Sequence, residues 1–137
     1  MKPIWPPLCA LAFLVLLPLS SPFAQGYDLD WLRSYGGMGD EGGKCVVIDP
    51  SGGELWMVGY SQRSGNIKAD FWIVKVNGEG RNLWAKSYGG RKWDEARAAV
   101  ATEDGGLAVV GVTESKGAGR SDIWLIKLNS EGDILWE

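Results

Sequence analysis

From Leu29 to Asn129 the apolar residues fall into short runs separated by glycine-rich clusters. The runs are Leu29–Tyr35, Lys44–Asp49, Glu54–Ser61 and Phe71–Asn77, then Leu83–Tyr88, Ala96–Glu103, Leu107–Thr113 and Ile123–Asn129. Between them stand Gly36-Gly37, Pro50-Ser51-Gly52-Gly53, Arg63-Ser64-Gly65-Asn66 and Gly78-Glu79-Gly80, where chain reversal or positive φ is cheap. The pattern predicts short strands joined by tight turns. No 3.6-residue apolar stripe is sustained, and 20 glycines weigh against helices. Several runs, such as Leu107-Ala108-Val109-Val110-Gly111-Val112 and Ile123-Trp124-Leu125-Ile126, are apolar at nearly every position. A sheet with one wet face alternates, whereas a sheet covered on both faces need not, so the strands are expected to be covered from both sides.

The eight runs are two copies of one pattern. Trp84-Ala-Lys-Ser-Tyr-Gly-Gly restates Trp31-Leu-Arg-Ser-Tyr-Gly-Gly, and Asp94-Glu95 restates Asp40-Glu41. Asp122-Ile123-Trp124-Leu125-Ile126-Lys127-Leu128-Asn129 restates Asp70-Phe71-Trp72-Ile73-Val74-Lys75-Val76-Asn77, and a third copy opens at Leu135-Trp136. Trp31 and Trp84 are 53 positions apart, Trp84 and Trp136 are 52. Aligned this way, Trp93 reads as an insertion before Asp94, with further slips at Ser51 and Glu54. A period of this length built from short strands marks a propeller or array whose units cannot bury their surfaces alone.

The motif string is Trp-x-x-Ser-Tyr-Gly-Gly, Asp-Glu, Asp-Gly-Gly, Gly-x-Thr, Gly-x-Gly-x-x-Asp-x-Trp-x-x-Lys-x-Asn and Gly-x-x-x-Trp. It resembles the Trp/Gly-rich tandem β-propeller repeats of secreted and cell-surface proteins of bacteria and archaea. Residues 84–135 fit nearly throughout; the first copy departs with Asp49-Pro50-Ser51-Gly52-Gly53 where Glu103-Asp104-Gly105-Gly106 stands later. The resemblance implies an all-β fold of two four-stranded antiparallel blade-like repeats, an incomplete β-propeller, and brings no single activity with it. The expected organisation is a signal peptide over 1–26, repeats over 27–83 and 84–135, and the start of a truncated third at 136–137. Because a propeller needs at least about four blades, self-association or further repeats are expected to close it.

Residues 1–26 carry Lys2, an apolar run over Leu8–Leu19 and small residues over Ser20–Gly26, the layout of a cleaved secretory leader. Cleavage after Gly26 leaves Ala-Gln-Gly, a better fit than cleavage after Ala24, which puts Pro22 at the minus-three position. A retained anchor is disfavoured by the length of the run and by Pro18. The expected destination is secretion, the periplasm or the cell surface. Loss of Lys2 moves the net charge from −3 to −4, and no basic stripe remains, which argues against a nucleic-acid partner. Histidine is absent and Cys45 is the one thiol outside the leader. No Ser-His or Cys-His nucleophile pair and no Cys/His zinc site can be built from such a set. No catalytic residue, metal or cofactor is therefore assigned.

Recurring groups read as scaffold: Asp40/Asp94, Asp70/Asp122 and Lys75/Lys127 suggest an Asp–Lys contact within each unit, because a buried lysine is costly unless paired. Trp31/Trp84/Trp136 and Trp72/Trp124 suit packing between units. The residues that break the repeat are Arg91, Lys92 and Trp93, which place an aromatic between two cations and Asp94-Glu95 on a loop, and they are the candidate ligand-binding group. A sugar ring or peptide would stack on Trp93 while Arg91 or Lys92 meets an acid. The expected function is an exported, non-catalytic propeller module for binding a carbohydrate or protein ligand, or for surface assembly. The alternatives are the front of an extracytoplasmic propeller enzyme, carbohydrate-active or quinone-dependent, with its catalytic residues in other blades, and a purely structural surface repeat.

Overall fold

The computed structural model describes residues 30–50, 52–62 and 67–137. The leader read at 1–26, the start of the first expected strand, Ser51 and the turn at 63–66 lie outside them. The described chain is all-β. Its strands are β1 Asp40–Ile48, β2 Glu54–Gln62, β3 Ala69–Asn77, β4 Asn82–Tyr88, β5 Asp94–Ala101, β6 Leu107–Thr113, β7 Asp122–Leu128 and β8 Ile134–Trp136. β1 to β4 form one antiparallel sheet and β5 to β8 a second, each in sequence order.

Local chemistry makes the turns. Between β3 and β4, Asn77 Oδ1 accepts from Glu79 N at 3.1 Å and Arg81 N at 2.9 Å, while Gly80 takes a φ of 72°. The next copy repeats this: Asn129 Oδ1 accepts from Glu131 N at 3.1 Å and Asp133 N at 2.7 Å, with Gly132 at a φ of 79°. An Asn side chain mimicking a turn of backbone, followed by a residue free to go left-handed, fixes a tight reversal. In the first strand of each sheet the register slips, between Gly43 and Cys45 and between Ala96 and Ala98, leaving Lys44 and Arg97 as the bulged residues. Opposite the second bulge stands Gly111, where a Cβ would overlap Glu95 O and the tip of the Phe71 ring. Gly59 faces the first bulge in the same way, against Gly42 O.

The core lies between the sheets. Trp56, Val58, Phe71, Ile73 and Tyr88 from the first sheet pack against Ala96, Leu107, Val109, Trp124, Ile126 and Leu128 from the second. Phe71 and Trp124 meet at 4.8 Å between ring centroids, tilted by 49°. Full burial of side chains of this size stabilises by about 1.5–3 kcal/mol each, so this layer outweighs any single polar contact.

Polar contacts latch one sheet to the next. Trp84 Nε1 donates to Ser130 O at 3.3 Å and Tyr88 Oη donates to Gly132 O at 2.6 Å, both on the β7–β8 turn. Trp31 Nε1 donates to Gly78 O at 3.0 Å and Tyr35 Oη to Gly80 O at 2.6 Å on the β3–β4 turn. The repeated Trp-x-x-Ser-Tyr is thus a clasp for the turn of the following sheet.

Three expectations change. Residues 30–37 form no strand, although Leu29–Tyr35 reads as one. The homologous segment, β4, is held by β3, and no described strand offers residues 31–35 such an edge. Consequently the sheets are offset from the sequence repeat by one strand: Asn82–Tyr88 completes the first sheet, and Ile134–Trp136, the opening of the third copy, completes the second. The slips also move. Glu41 pairs with Ser61 as Asp94 pairs with Thr113, and Ile48 with Leu55 as Ala101 with Leu107. The two first strands therefore match without a gap, Trp93 takes the position of Asp40, and the extra residue lies in the turn after β1.

Gly111→Ala is expected to destabilise the fold by about 1–3 kcal/mol, since backbone and Phe71 fill the space a methyl needs. Chemical denaturation followed by tryptophan fluorescence checks it.

Candidate functional site

The repeated polar residues settle into structural roles. Lys75, almost fully buried, pairs with Glu54 at 2.6 Å, donates to Ser130 O at 3.3 Å and lies 4.6 Å from the centre of the Trp56 ring. Lys127 pairs with Asp104 at 2.8 Å and donates to Thr102 Oγ1 at 2.8 Å and Leu128 O at 3.0 Å. The expected lysine contact is present, but its acids are Glu54 and Asp104, flanking the first hairpin of each sheet. Asp94 has no exposed surface and instead clamps a loop. It accepts from Gly90 N at 2.8 Å, Ser115 Oγ at 2.7 Å and the Thr113 hydroxyl. Glu41 takes the equivalent place, accepting from Ser61 Oγ at 3.2 Å. Asp40 is exposed, and Asp122 Oδ2 accepts from Gly119 N at 3.1 Å. Among the described residues no group of three His, Cys, Asp or Glu side chains could hold a metal ion.

The loop before β5 carries the residues that break the repeat. Trp93 is half-buried: its ring lies 5.7 Å from that of Tyr60 across the seam between the sheets, and its Nε1 donates to Glu95 Oε2 at 3.3 Å. Arg91 and Lys92 are exposed, with Lys92 N donating to Ser115 Oγ at 3.0 Å. Glu95 sits beneath, ion-paired to Lys44 at 2.9 Å and to Arg97 at 3.3 Å. Burial alone would raise its carboxyl, but the hydrogen bonds from Lys44 and Trp93 and the nearby Arg97 hold it below the usual carboxylate range. The loop thus carries an aromatic pair, Trp93 on Tyr60, directly after the exposed Arg91 and Lys92, with Glu95 paired to Lys44 and Arg97 beside it.

Tyr60, Lys44 and Arg97 were not legible as part of this group, whereas Glu95 stands two residues after Trp93 in the sequence. Lys44 and Tyr60 belong to the other sheet and arrive only through stacking. The available signal was the cation at the bulge of each first strand. Cys45 is half-buried near Ala99, and burial pushes its thiol above the usual value.

A second feature surrounds Trp72. An open cavity of about 490 Å³ is lined by Gly36, Gly37, Met38, Glu41, Ser61 and Trp72. A smaller one of about 130 Å³ is lined by Tyr35, Glu41, Met57, Gly59 and again Trp72.

Asp104 yields a pH prediction. Hydrogen bonds from Lys127 and Thr102 lower its carboxyl from the ordinary 3.8 to about 2. A depressed folded-state value contributes stability above pH ~4 that is lost as pH falls toward 2. Asp104→Asn is expected to lower the melting temperature at pH 6 and to flatten its decline between pH 4 and pH 2, read by calorimetry. An unchanged decline contradicts the assignment. No protein-family model matches the chain, and no curated protein matches it significantly.

Proposed function

We propose that the chain is an exported, non-catalytic β-propeller repeat module serving binding or surface assembly, one section of a longer ring of such units. What supports the reading most is the in-phase clasp: Trp31 and Tyr35 hold the turn after β3, and Trp84 and Tyr88 hold the turn after β7, at the same atoms. The first sheet is thereby fixed to the second, and residues 31–35 stand in the same relation to the first sheet, the arrangement that radial stacking needs. Lys75, Lys127, Asp94 and Asp122 are engaged in turns and clamps, which supports a scaffold role for these repeated residues.

The binding role falls to Trp93, Arg91 and Lys92. A ring stacked on Tyr60 is pre-positioned and loses little entropy when a sugar or peptide packs on it. The flanking cations favour a ligand bearing a carboxylate, sulfate or phosphate. Export of the chain places it among surface and extracellular glycans and proteins.

On glycan and peptide arrays the chain is expected to retain acidic ligands. Arg91→Glu, at an exposed position that should not disturb folding, is expected to weaken retention at least about tenfold, and Trp93→Ala to abolish it. Retention unchanged in Arg91→Glu, or no retained ligand at all, counts against the binding role.

A further inference from the structure

Within the chain, the contact between the sheets is a knob in a hole. Phe71 projects from β3 onto Trp124, with its ring tip over Gly111. Moving along the repeat by 52 positions, the equivalent knob is Ile123, and the equivalents of Trp124, Gly111 and Val109 are Trp72, Gly59 and Met57. Those three line the two cavities of about 490 and 130 Å³. The hole of the first sheet therefore has the walls of the occupied hole of the second. Ile123 stands 82% exposed on the far face of the second sheet. Beside it are Leu125, 44% exposed, and Val110, the equivalents of Ile73 and Val58 in the core layer. Among the described residues the chain thus presents an open hole at one end and an exposed knob at the other.

We propose that a second copy of this chain docks head to tail, with Ile123 entering the cavity at Trp72 and Leu125 and Val110 packing toward the half-buried Met57. The occupant is argued from the molecule itself: knob and hole are the positions of the internal contact one repeat apart, apolar in both copies, with Ile123 for Phe71, Leu125 for Ile73 and Ala108 for Trp56 on the knob side and Met57 for Val109 on the hole side. Both faces are apolar, and Gly59 keeps the floor of the hole clear as Gly111 does. The knob and hole lie on opposite faces, so the contact is heterologous and propagates, closing into a ring where the rotation allows. The proposal rests on the propeller reading above and names the surface that completes it.

Sedimentation equilibrium of the purified chain, Ile123→Asp, Trp72→Ala and a 1:1 mixture of the two variants provides the test, with near-ultraviolet circular dichroism confirming the fold of each. The wild-type chain is expected to associate with concentration. Ile123→Asp, altered at an exposed position, is expected to weaken association at least about tenfold. Each variant retains one good face, so the mixture is expected to form 1:1 pairs that neither variant forms alone. Ile123→Asp also has an intact hole, so in excess it is expected to cap wild-type assemblies and lower their mean mass; this readout stands even if Trp72→Ala does not fold. A wild-type chain that stays monomeric, an Ile123→Asp chain that associates like wild type, or absence of capping overturns the proposal. The array experiment depends on Trp93 and not on Ile123, so loss of ligand binding and loss of docking are read separately.

Discussion

The stacking of one sheet on the next is the interaction on which everything else depends. Each sheet has strands apolar on both faces, so neither can be wetted on one side without exposing leucine, isoleucine or tryptophan. Within the chain the solution is a single layer in which Trp56, Val58, Phe71 and Ile73 meet Leu107, Val109, Trp124 and Ile126. The glycines opposite the bulges follow from it, because Phe71 needs the space over Gly111. So does the buried chemistry: lysines at the third strands lie under this layer and must find acids and carbonyls there.

Electrostatics in this molecule is mostly a response to burial. Lys75 and Lys127 are paired with Glu54 and Asp104, and each ammonium also meets a backbone carbonyl. Glu95 is a buried carboxylate held by cations from both sheets, so it pins the seam where Trp93 lies. Removing one partner from such a group costs more than the pair contributes, because the remaining charge is left desolvated. The exposed pair Arg81–Glu79 carries no comparable weight.

Much of the fold was legible because the repeat writes it twice. The Asn-x-x-Gly turns, the glycine-rich reversals and the all-β class come from local chemistry, and local chemistry is in the sequence. What was not legible depends on partners. Residues 31–35 have the composition of a strand, yet a strand needs an edge, and only their descendants at 84–88 have one. The placement of Trp93 turned on a misleading coincidence: Asp40-Glu41 and Asp94-Glu95 look equivalent, whereas pairing with β2 and β6 makes Glu41 the counterpart of Asp94. Of the candidate site, Arg91, Lys92 and Trp93 could be picked out as a departure from the repeat. Their neighbours Tyr60 and Lys44 could not, since stacking and not sequence proximity brings them there.

The central claim is that the two sheets form one cooperative unit because their core lies between them. Native-state hydrogen exchange at increasing denaturant measures this directly. Amides of β3 around Ile73 and those of β6 and β7 around Val109 and Ile126 are predicted to converge on one opening free energy. Exchange of β3 through an opening that leaves β6 and β7 protected would contradict the account.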